Sequence, residues 1–125
     1  MKDNMAMFEL STEQRLQLQS ELVPLSIPEK IDKAYNLLSQ MEALKAQILS
    51  EGDKGIYKHK ETLWPAIFEV DEKLHYTILS MVKIVGFEDA WLKLAEEKYK
   101  GITERYHEVY YFMGDLLYSQ KHSLL

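Results

Sequence analysis

Ile31, Ala34, Leu38, Met41, Leu44 and Ile48 fall three or four residues apart, as do Ile67, Val70, Leu74, Ile78, Met81 and Val85. That spacing gathers each set on one face of an α-helix, whereas a half-buried strand needs an apolar residue at every second position. No two alternating runs are joined by a hairpin dipeptide. The chain is expected to be all-α.

Punctuation residues divide the pattern. Ser11 with Gln14 has the spacing of a capping box and opens a first helix that Pro24 stops near Val23. Ser26 with Glu29 repeats the device, and Pro28 lies in the first turn, where a missing N–H costs nothing. A second helix of roughly 25 residues, about 37 Å, then runs to Gly52. A third runs from Thr62, with Pro65 in its first turn, to Gly86; a start near Ile56 with a kink at Pro65 is the alternative. The fourth opens at Phe87-Glu88-Asp89-Ala90-Trp91, with its acids at the positive end of the helix dipole, and could reach about Lys121, some 50 Å, unless it breaks at Gly101. Gly101 and Gly114 each cost about 1 kcal/mol relative to alanine inside a helix. The architecture expected is an antiparallel bundle of about four helices, with a short first helix and a long C-terminal one, forming a single domain over 1–125.

Composition narrows the function. With 46% hydrophobic and 28% charged residues the chain is too apolar for disorder. A net charge of −5 gives no drive toward nucleic acid or acidic lipid, although Lys54, Lys58, His59 and Lys60 crowd one loop. Zero cysteines exclude disulfides and thiolate chemistry and suit a reducing, cytoplasmic setting. No apolar run reaches the eighteen or so residues of a membrane span, and the first residues lack the apolar stretch of a secretory signal, so a soluble protein is expected.

Glu72 with His75, and Glu104 with His107, have the spacing used on one helix face by carboxylate-bridged metal sites. Such ligands must point into the bundle. Taking about 100° per residue, Glu72 lies roughly 140° from Ile67, and Glu104 and His107 lie roughly 200° and 140° from Ile102, so no metal and no cofactor is implied. Asp71, at about 40°, is the acid set well inside an apolar stripe, with His75 four residues on at about 80°. Burial of Asp71 requires a hydrogen-bonding partner, such as a tyrosine hydroxyl or a lysine at a bundle end. The alternative to that structural reading is one lobe of a pocket for a small ligand or single metal. No phosphate-cradling glycine loop, nucleophile elbow or zinc-helix histidine pair is present, and no spacing nominates a catalytic residue.

Tyr99, Tyr106, Tyr110, Tyr111 and Tyr118 crowd the C-terminal segment. The core stripe accounts for Tyr99 and Tyr106, with Tyr110 on its flank. Tyr111 and Tyr118, seven apart, stack on the opposite face, and Phe112 takes a third direction. A helix apolar on nearly all sides needs cover, and tyrosine is enriched at interface centres. The sequence therefore points to a small acidic interaction protein, more a binder than an enzyme. It would use Tyr110, Tyr111, Phe112, Leu117 and Tyr118 to meet a protein partner or a second copy in a homodimer. A bundle holding a small ligand or metal at Asp71 and His75 is the alternative.

Overall fold

A computed structural model of the chain describes residues 9–50, 58, 60–94 and 102–122. Among these it is all-helical, with α1 Thr12–Leu22, α2 Ile27–Leu49, α3 Leu63–Val85, α4 Phe87–Leu94 and α5 Ile102–His122.

Both capping boxes form. The Ser11 hydroxyl accepts from the Gln14 N–H at 3.1 Å and Gln14 Oε1 accepts from the Ser11 N–H at 2.8 Å. Ser26 and Glu29 make the same exchange at 3.3 and 3.0 Å. The start of α3 differs from expectation: Thr62 precedes the helix with helical backbone angles and caps nothing with its side chain. Gly86 both ends α3 and begins α4. Its N–H bonds Val82 O at 2.8 Å and its carbonyl accepts from the Ala90 N–H at 3.0 Å. Its φ of 88° and ψ of 163° lie in a region open essentially to glycine alone.

Among the described residues five helices stand where about four were expected. The expected fourth helix is two elements with different neighbours: α4 packs on α3, and α5 packs on α2. Among the described residues α5 spans 21 residues, against 23 each for α2 and α3. The described part of α5 is about 32 Å long. Gly101, Tyr99, Ile56, Gly52 and the basic residues Lys54 and His59 lie outside the described residues.

The main core is shared by α2, α3, α4 and α5, with Leu38, Met41, Trp64, Ile67, Leu94 and Leu116 among its buried members. A second, small cluster of Leu10, Leu18 and Leu22 seats α1 against Tyr76 of α3. Arg105 of α5 grips Glu42 of α2 with two donors, Nε to Oε2 at 3.0 Å and Nη2 to Oε1, and its guanidinium lies 5.7 Å from the Tyr35 ring centre. Glu42 is thus paired, and this contact holds its carboxyl below the usual range. No described helix is long and apolar enough to cross a membrane.

Candidate functional site

Asp71 stands where the third-helix stripe places it, inside the packed face of α3 and 8% exposed. A carboxylate there needs a donor. α5 provides one: the Tyr106 hydroxyl donates to Asp71 Oδ1 at 2.9 Å. One turn along α3, His75 Nε2 lies 2.7 Å from the same hydroxyl and 3.3 Å from Asp71 Oδ1. The phenol has one proton and it goes to Asp71, so this pattern makes Nε2–H the donor to the hydroxyl oxygen and leaves Nδ1 as the titrating nitrogen.

The electrostatics follow from these contacts. The hydrogen bond to Asp71 raises the His75 pKa, against the opposing effect of burial, and the charges of Asp71 and Glu72 add to the rise. Burial first, then the adjacent Asp71 charge, pushes the Tyr106 phenol far above its ordinary range, so it stays protonated. The group is a short chain of donors and acceptors ending at an imidazole whose side chain is 57% exposed.

His75 and Tyr106 line a cavity of about 390 Å³ between α3, α4 and α5. Leu74, Ile78, Trp91 and Ile102 form its apolar walls, and Thr103, His107 and Tyr110 complete the lining. From this cavity a run of rings leads outward along α5. Tyr106 and Tyr110 stack at 6.0 Å with 30° between planes, Tyr110 meets Tyr111 edge-on at 5.9 Å, and Tyr111 meets His107 edge-on at 6.2 Å.

The expected partner-binding face is only partly a surface. Tyr110, Tyr111 and Tyr118 are 55%, 68% and 65% exposed. Phe112 is instead buried in the main core, with the Lys45 ammonium 5.7 Å from its ring centre, and Leu117 is half-buried against that core. These two turn inward because the face of α5 that packs on the core takes Phe112 together with Val109, Met113 and Leu116.

Glu72 is half-buried rather than turned cleanly to solvent, and burial raises its pKa. Glu104 and His107 are exposed. Among the described residues no three acids or histidines gather as a metal site.

Sequence reasoning placed Asp71 and His75 together but assigned Tyr106 only to packing. The signal that could have found it was the requirement of a buried carboxylate for a donor from another helix. It missed Lys30 altogether. That residue is 1% exposed, and its ammonium donates to the Leu22 carbonyl at 2.9 Å and to Ser80 Oγ at 2.5 Å.

No protein-family model, curated protein sequence or solved structure matches this chain.

Proposed function

We propose that this protein is a small-ligand-binding helical module, and that the cavity between α3, α4 and α5 takes a mainly apolar molecule carrying one hydrogen-bonding group. The supporting observation is the Asp71–Tyr106–His75 chain at the wall of an otherwise largely apolar cavity. Pockets of this size with a few convergent polar groups are the usual form of small-molecule sites. His75 Nδ1 meets the polar group of the ligand, as acceptor when the imidazole is neutral and as donor when it is protonated. Tyr106, held protonated, positions the imidazole and is unsuited to act as a base. The role is recognition rather than catalysis.

The reading takes residues 1–125 as one antiparallel bundle domain in the cytoplasm. The single main core joining α2 to α5 supports the first, and the lack of cysteine suits the second. A second reading, contact with a protein partner or a second copy, is supported by the three exposed tyrosines of α5, Tyr110, Tyr111 and Tyr118.

Native mass spectrometry of the protein purified from its host, followed by release and identification of any bound molecule, tests the proposal. Ile78→Trp, which fills the cavity, and His75→Ala should both release the ligand from a folded protein. Retention of the bound mass in both variants rules out this cavity. Light scattering of wild type against Tyr111→Ala with Tyr118→Ala tests the second reading, and an unchanged monomeric mass in both removes the homodimer.

A further inference from the structure

The opposite flank of α3 carries a second cavity, of about 460 Å³, between α1, the start of α2 and the last turns of α3. Its walls are apolar, formed by Leu18, Leu22, Tyr76, Leu79 and Ile84, while its charged lining residues are Arg15, Lys30 and Lys83. No acid lines it among the described residues. In a chain of net charge −5, three cations converging on one apolar space run against the overall balance.

Lys30 is the centre of the arrangement. Part of its role is structural: it caps the carbonyl of Leu22, the last residue of α1, where a cation also meets the negative end of the helix dipole. That leaves its charge only partly answered. An ammonium has three donors, and Leu22 O and Ser80 Oγ take two. No described carboxylate forms an ion pair with it. Arg15 and Lys83 are exposed and likewise make no ion pair with a described residue, although Arg15 feels the charge of Glu72. Ionised groups are rarely buried without a counter-charge.

We propose that this cavity binds an amphipathic carboxylate of the fatty-acid class, its carboxylate on the third N–H of Lys30 and its hydrocarbon body along Leu18, Leu22, Tyr76 and Leu79. Arg15 and Lys83 supply favourable field from the walls. The site is separate from the Asp71–His75 cavity, which lies on the other face of α3, and does not depend on it.

Isothermal titration with decanoate, decanol and decyltrimethylammonium tests the assignment. Decanoate should bind, decanol at least about tenfold more weakly because it lacks the charge-assisted bond, and the cationic probe not at all. Lys30→Met keeps the length of the stem and should weaken decanoate by about tenfold or more. If that variant does not fold, Arg15→Gln with Lys83→Gln, both at exposed positions, should still weaken decanoate several-fold. His75→Ala should leave the affinity unchanged. Decanol binding as tightly as decanoate, indifference to the Arg15 and Lys83 changes, or loss of binding in His75→Ala would each overturn the proposal, as would no decanoate binding to the wild type.

Discussion

Asp71 and Lys30 are both buried ionisable residues, yet the protein answers their charges in different ways. Asp71, on α3, is satisfied by side chains: a phenol from α5 and an imidazole from its own helix. Lys30, on α2, is satisfied by a backbone carbonyl at the end of α1 and a hydroxyl of α3. The first arrangement ends in a titratable group partly open to solvent, beside a cavity. The second leaves a cation that forms no ion pair with a carboxylate among the described residues, also beside a cavity. An ionisable group met by neutral acceptors keeps much of its appetite for a counter-ion, whereas one tied to an imidazole can pass its electrostatic effect outward.

The largest effect should come from Lys30→Ala. It removes a fully buried stem, takes one of two donors from the Leu22 carbonyl, which keeps the Leu25 N–H, and strips the Ser80 hydroxyl oxygen of its ammonium, a loss of about 3 kcal/mol in chemical denaturation. Asp71→Ala should cost less, about 2 kcal/mol, because the Tyr106 hydroxyl and His75 lie nearer solvent and recover part of their hydrogen bonding from water. If Asp71→Ala proves the more damaging, the contrast between the two sites is inverted. Tyr106→Phe keeps the ring, and a melting temperature equal to wild type would mean that the phenol does not serve Asp71.

Arg105 and Glu42 give a third level for comparison. Their side chains are 38% and 36% exposed, so a double-mutant cycle with alanine should return a coupling of roughly 0.5 kcal/mol and no more than about 1 despite the paired geometry.

The smallest effect is in the pH dependence, where the two sites should have opposite signs. The folded pKa of His75 is raised above 6.5, so the folded state holds the proton longer. Its contribution to stability is complete below pH 6.5 and is lost as pH rises through the folded value. Burial lowers the folded pKa of Lys30 below 10.5, so the unfolded chain holds that proton longer, and stability rises with pH between the folded value and 10.5. Denaturation measured across pH in His75→Ala should lack the first slope relative to wild type, and in Lys30→Met the second. An unchanged neutral slope in His75→Ala would show that the imidazole is not coupled to Asp71.

How much of this was legible in advance depended on how far each feature reaches along the chain. Capping boxes at Ser11 and Ser26 need partners three residues away, and both formed. Gly86 as a boundary was readable because only glycine adopts its backbone angles readily. Asp71 was conspicuous as an acid within an apolar stripe, and its partner turned out to be one of the tyrosine hydroxyls that stripe demanded. Phe112 is buried and Leu117 half-buried in the folded chain, and the all-round apolar character of the last helix did not reveal which side the core would take. Lys30 left no trace, since its acceptors are a main-chain carbonyl eight residues earlier and a serine fifty residues later.

The sequence by itself determined the helical class, most of the boundaries and the position of Asp71 and His75 on a common face, because these follow from periodicity and local hydrogen bonding. Only the tertiary structure decided that Tyr106 completes their network, that Arg105 pairs with Glu42, and that Lys30 closes the end of α1. Each depends on where one helix lies against another, and that is set by the packing of the whole core rather than by any short stretch of residues.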